Sequence, residues 1–222
     1  YATMILGPEG SGREELAHCL HNASKRANKL CLTLDCATLM DDEAVKVLYG
    51  YSQQKHSTEG LLVAAAGGSI IIKHIDLAGP RLLAILRDTL TKRPFFRPGM
   101  PAPITLDICF YTIATEMESR HIPSDLRSLL SILILTVPDL AQRQEDVEDL
   151  FKSYVHQLLP QKRGHRLDAS MVSLLTTYSW PGNVIELRTV SIRYALRIKN
   201  APNQTALYRY NMLLEAIGKE SL

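Results

Sequence analysis

A run of apolar residues at 1–6 breaks into Gly7-Pro8-Glu9-Gly10-Ser11-Gly12-Arg13-Glu14, and helical spacing follows at 13–22. A buried strand that turns through clustered glycines into a helix is how a phosphate loop is built. Backbone N–H groups and the positive end of the helix hold the anion, and a lysine reaches its terminal charges. The full pattern is G-x-x-x-x-G-K-[ST]; the glycines fit, and Arg13 stands where the lysine belongs. Taken alone, the stretch reads equally as a phosphate loop or as a glycine-rich turn before a helix.

The rest of the chain supplies a context for that junction. Aliphatic strand patterns recur at 30–35, 69–72, 107–115 and 132–137, with helical stretches at 43–48 and 81–90 between them. Strands that alternate with helices predict an α/β fold, a parallel sheet with helices on both faces. Pro138 ends the last strand, and only helical spacing follows, at 145–159, 168–178, 183–198 and 206–217. The expected organisation is an α/β core over 1–138 and a small all-helical lid over 139–222. The polar stretch 160–166 is expected as a loop. Residues 92–98, with Phe95 and Phe96 among basic residues, read as loop packing rather than a base-stacking patch.

Composition narrows the function classes. With 222 residues, 46% hydrophobic and 22% charged, the chain can bury a substantial core. A net charge of +2 argues against nucleic-acid binding as its main task. Arg188, Arg193, Arg197 and Lys199 recur on one helical stretch and read as a solvated face rather than a DNA contact. No apolar run reaches membrane-spanning length, so no membrane role is expected. Cys19, Cys31, Cys36 and Cys109 lack zinc or disulfide spacing, which points to a reducing cytoplasm. His18 and His21 lie three apart on a helix but have no third ligand nearby, so no metal site is expected. The chain begins in a strand without a starting Met, which reads as a piece of a longer protein.

Several spaced segments, in order, resemble the AAA+ central domain of bacterial sigma-54-dependent transcription activators. That family carries Glu after the lysine of its loop, and Glu14 stands there. Asp35-Cys36-Ala37-Thr38-Leu39 is similar to its N-C-A-A-L, and Leu48-Tyr49-Gly50-Tyr51 to its L-F-G-H. Its A-x-G-G-T-L-F-L-D-E-I resembles the stretch from Ala65 to Ile75, which includes Gly67-Gly68 and Lys73-His74. Trp180-Pro181-Gly182-Asn183-Val184-Ile185-Glu186-Leu187 is similar to W-P-G-N-V-R-E-L, the most specific of these runs. The resemblance implies a P-loop AAA+ core with a helical lid.

It also implies where the ATPase machinery should sit, and this chain departs from the family there. Lys73 and His74 occupy the positions of the magnesium-holding Asp and the water-activating Glu. The Asn that restrains that Glu is Asp35. The two arginine-finger positions are Pro123 and Leu129, with Arg127 between them. The first sensor pair is Thr115-Glu116, and the lid's sensor arginine is Ile185. The family's sigma-gripping G-A-F-T-G-A loop is missing from the shortened stretch after Gly50.

The resulting expectation is an ATPase-deficient domain of a bacterial transcription regulator. It would act as an assembly module rather than by remodelling sigma-54. Its partners would be sensory and DNA-binding domains, further copies of itself, and RNA polymerase. The alternative is a sensor of a metal-free nucleotide or cyclic dinucleotide, with Arg13 and Lys73 both directed at the phosphate site. Against that stands a pocket filled by a Lys73–Glu116 ion pair. A residual weak ATPase using Arg13 and His74 is the outsider.

Overall fold

The computed structural model describes residues 2–53, 56–91, 94–96, 103–104, 106–160, 167–199 and 205–218. Two compact units divide the chain. The first comprises Tyr1–Gly7 and Arg13–Val137, and the second Pro8–Gly12 and Pro138–Leu222.

In chain order the first unit contains β1 (Ala2–Leu6), α1 (Arg13–Asn22), β2 (Cys31–Asp35), α2 (Ala44–Tyr49), β3 (Gly50–Gln53) and β4 (His56–Glu59). Then come α3 (Leu61–Ala64), β5 (Ser69–Lys73), α4 (Pro80–Leu90), β6 (Phe95–Phe96) and β7 (Pro103–Ile104). It ends with β8 (Cys109–Ala114), α5 (Glu116–His121), α6 (Ser124–Leu130) and β9 (Leu133–Thr136). Five strands form one parallel sheet in the order β2-β5-β8-β1-β9. Side chains alternate between faces along each strand. Met4, Ile70, Ile72 and Phe110 therefore join α2, α4 and α6 in one apolar cluster. Ile5, Ile71, Tyr111 and Ile113 turn the other way, where Ala17 of α1 meets them. Both faces are thus covered, as the continuous aliphatic runs require.

Two features differ from the sequence reading. Gly50–Gln53 and His56–Glu59 pair antiparallel, with Gly50 opposite Glu59 and Gln53 opposite His56, where the sequence predicts only a shortened loop. Phe95 and Phe96, expected in a loop, form a short strand paired with Pro103 and Ile104. Lys92, Arg93, Arg97 and Pro98 lie outside the described residues, as do 161–166 of the expected 160–166 loop.

The second unit is helical: α7 (Glu145–Leu158), α8 (Ala169–Thr177), α9 (Asn183–Ile198) and α10 (Ala206–Ile217), preceded by a 3₁₀ turn at Leu140–Gln142. Phe151, Trp180, Leu187, Tyr194 and Leu213 form its core. Trp180 donates its indole N–H to the Leu175 carbonyl at 2.8 Å and meets Tyr178 edge-on at 4.9 Å. Asp168 and Thr205 cap α8 and α10 by accepting from Met171 N and Tyr208 N. Among the described residues, no helix is long and apolar enough to cross a membrane.

Candidate functional site

The carboxyl ends of parallel strands are where an α/β sheet places its chemistry, and the altered family positions of the first unit gather there. Lys73 closes β5, and its ammonium lies 2.9 Å from Glu14 Oε2 of α1. The next residue, His74, adopts a left-handed backbone with φ 50°. Its Nδ1–H donates to Asp35 Oδ1 at 2.9 Å. The register of β2 and β5 sets Asp35 directly beside Lys73. The His74 hydrogen bond is the largest influence holding the Asp35 carboxyl below the usual carboxylate range; partial desolvation opposes it, and the Ala37 N–H assists. Arg13 faces Glu118 Oε2 at 3.7 Å.

These contacts correct one expectation. Lys73 pairs with Glu14 rather than Glu116, and Glu116 is an exposed residue at the start of α5. Arg13 and Lys73, both expected to be directed at the phosphate site, each face a carboxylate of the chain. Both substituted residues have complementary neighbours. His74 and Asp35 thus join the ends of β5 and β2 by a hydrogen bond. The Lys73 ammonium thus stands with the Glu14 and Asp35 carboxylates, and His74 engages Asp35 through Nδ1.

The remaining positions have structural roles. Thr115 caps α5 by accepting from Glu118 N, while Glu118 Oε2 accepts from Thr115 N at 2.6 Å, a reciprocal capping box. Pro123 precedes α6, and Leu129 is half-buried within it. Arg127 is exposed on the same helix, and Asp125 pairs with Arg87 at 2.6 Å. His21 is buried with both ring nitrogens engaged, Nδ1 by Ser69 Oγ and Nε2 by the Lys29 carbonyl. His18 is exposed.

In the second unit, Gly10 takes a positive φ of 72°, and a Cβ there would lie 2.6 Å from the Gly182 carbonyl oxygen. Glycine is therefore required by backbone conformation and by close approach alike. The Ser11 hydroxyl is buried and makes no hydrogen bond among the described residues. Asn183 donates Nδ2–H to the Glu9 carbonyl at 2.9 Å and accepts from Leu140 N at 2.8 Å. Arg143 donates to the Ser11 carbonyl. Neither residue has a role in the sequence reading. Asn183 was visible there only as part of W-P-G-N-V, and nothing marks Arg143 apart from its position just before the acidic start of α7. Ile185 is exposed on α9, as are Arg188, Arg193 and Arg197, and Lys199 just past its end.

The Sigma-54 interaction domain family matches residues 1–130, and the AAA+ ATPase lid domain matches 141–206. The chain belongs to the sigma-54 interaction domain family. It is 27% identical over 229 residues to the HTH-type transcriptional regulatory protein TyrR of Salmonella typhimurium, covering 99% of this chain and 44% of TyrR. The transcriptional regulatory protein ZraR of Escherichia coli K12 is 28% identical over 196 residues, covering 83% of this chain and 44% of ZraR. The crystal structure of NtrX from Brucella abortus in complex with ATP superimposes with a TM-score of 0.76 at 26% identity, covering 92% of this chain and 50% of NtrX. The chain thus spans about half the length or less of these relatives. As a sigma-54 interaction domain it keeps the parallel AAA+ sheet and the helical lid.

Proposed function

We propose that this sigma-54 interaction domain has lost ATP hydrolysis and serves a bacterial transcription regulator as a binding and assembly module. The reading rests foremost on the Lys73 ammonium, held 2.9 Å from Glu14 at the end of β5. A magnesium-bound triphosphate needs anionic oxygen ligands at that point. An ammonium does not fit the metal, so no hydrolytic step is assigned to these residues. Pro123 and Leu129 supply no charge for a neighbouring subunit's phosphate, and Ile185 supplies none from the lid. Losses at so many separate parts of the machinery are not offset by one another.

In this reading the domain works in the cytoplasm. It links sensory and DNA-binding domains of the regulator, associates with further copies, and acts through RNA polymerase rather than by remodelling sigma-54. The shortened stretch after Gly50, folded as the β3–β4 hairpin, supports the last point.

The test is phosphate release by the purified protein with ATP and magnesium, compared with Arg13→Ala. Equal, background-level release is expected. Turnover that the substitution abolishes would restore an ATPase built on Arg13 and His74. A second reading, a metal-free nucleotide or cyclic-dinucleotide sensor, draws on the buried, unbonded hydroxyl of Ser11 in a loop that keeps its glycines. Calorimetric titration with each ligand without magnesium decides it, and affinity weaker than millimolar throughout removes it.

A further inference from the structure

A glycine loop of this kind is ordinarily read through its N–H groups, which face an anion. Here its carbonyls are just as fully used. Three consecutive oxygens, those of Glu9, Gly10 and Ser11, are taken by Asn183 Nδ2, Val184 N and Arg143 Nη2. Val184 N lies in the first turn of α9, where four N–H donors have no partner within the helix. The Gly10 carbonyl, 2.9 Å from Val184 N, satisfies one of them. The loop backbone thus does for α9 what a capping side chain usually does.

Asn183 meets three demands at once. Its backbone is left-handed with φ 54°, a region in which Asn is enriched among non-glycine residues. Its amide oxygen accepts from Leu140 N and its amide nitrogen donates to the Glu9 carbonyl. It is 5% exposed; the Leu140 bond is buried and the Glu9 bond half-buried. Aspartate would keep the acceptor and lose the donor. Glycine would keep the backbone and lose both. Asparagine is the residue that serves all three.

We propose that the glycine loop of this protein is a structural ligand of the helical unit. Its carbonyls cap α9 and fill Asn183, so the helical unit sets the shape of the loop independently of any phosphate. Asn183 is the positioning residue on which this linkage turns. The inference goes beyond the loss of hydrolysis and holds whichever ligand the loop N–H groups meet. It also gives the Trp180-Pro181-Gly182-Asn183 turn a task in a chain whose lid arginine position is Ile185.

Two amides read the linkage separately by NMR hydrogen exchange on the nucleotide-free protein. Leu140 N–H reports on the Asn183 oxygen, and Val184 N–H reports on the Gly10 carbonyl. Asn183→Asp is expected to speed exchange at Val184 by roughly tenfold or more and to leave Leu140 within about twofold of wild type. Asn183→Ala is expected to speed both. Slowly exchanging amides of Leu187 to Ala195 in α9 serve as the folding control and should not change in the aspartate variant. The proposal is overturned if Val184 exchanges unprotected in the wild type. It is equally overturned if Asn183→Asp leaves Val184 unchanged, or if the control amides accelerate with it.

Discussion

The Asp35–His74 pair ties charge to geometry at a single strand end. A carboxyl whose folded pKa is depressed stabilises the fold above its unfolded value, and that stabilisation is lost as pH falls through the folded value. The unfolded value is about 3.9, so this pair is an acid-side contributor, present at neutral pH and lost on further acidification below that value. His74→Ala should move the Asp35 titration upwards, as followed by carboxyl carbon NMR. An unchanged titration would mean that the hydrogen bond at 2.9 Å does not hold Asp35 down. Lys73 allows a complementary test. Lys73→Asp sets a second carboxylate against Glu14 and should lower the melting temperature. Magnesium at ten times its dissociation constant should then return about 1.4 kcal/mol to the variant. The wild type should show no such gain in a thermal melt, and an equal gain would contradict the ammonium's role.

Secondary elements show how far residue patterns carry. The five sheet strands are legible because buried parallel strands are continuous aliphatic runs bounded by glycine, proline or charge. The same rule cannot separate a central strand from an edge strand. β9 reads like β5, yet Leu133 and Ile134 are 52% and 53% exposed whereas Ile70, Ile71 and Ile72 are fully buried. The β3–β4 hairpin escaped notice because Tyr51-Ser52-Gln53 and His56-Ser57-Thr58 have no apolar alternation; the pairing is made by backbone groups. By pattern, His21 has only a packing or surface role. It is in fact the tie between the end of α1, the Lys29 carbonyl and Ser69 at the start of β5. His21→Ala removes its partner from the Ser69 hydroxyl and opens a cavity, and should cost about 2–4 kcal/mol in chemical denaturation. A loss under about 0.5 kcal/mol would show that the tie does not matter. Gly68 is constrained by backbone alone: a Cβ there would lie 2.1 Å from the Leu30 carbonyl oxygen of the adjoining chain segment. No side-chain rotation relieves that clash. Gly68→Ala should therefore disturb the β2–β5 pairing, visible as faster exchange of the Ser69 amide, which donates to Leu30.

Across the whole molecule, family membership was legible from spaced motifs because they mark turns and strand ends that the AAA+ fold cannot vary freely. The site was less legible. Motif positions say which residue replaced which, but not the new partners; Glu14 for Lys73 and Glu118 for Arg13 come from the fold. The two units have separate apolar clusters. Trp180→Ala, in the helical cluster, should cost about 3–5 kcal/mol and accelerate exchange in α7 and α9. Exchange that stays at wild-type rates there would show that Trp180 is not the centre of that core. Loss of hydrolysis requires that the strand end at Lys73 and His74 fail to accept a metal-bound triphosphate. Calorimetric titration of the purified protein with ATP, with and without magnesium, measures this directly. The predicted result is that magnesium leaves the affinity within about twofold, or no binding in either case. A tenfold or greater tightening by magnesium, ~1.4 kcal/mol or more, would contradict it.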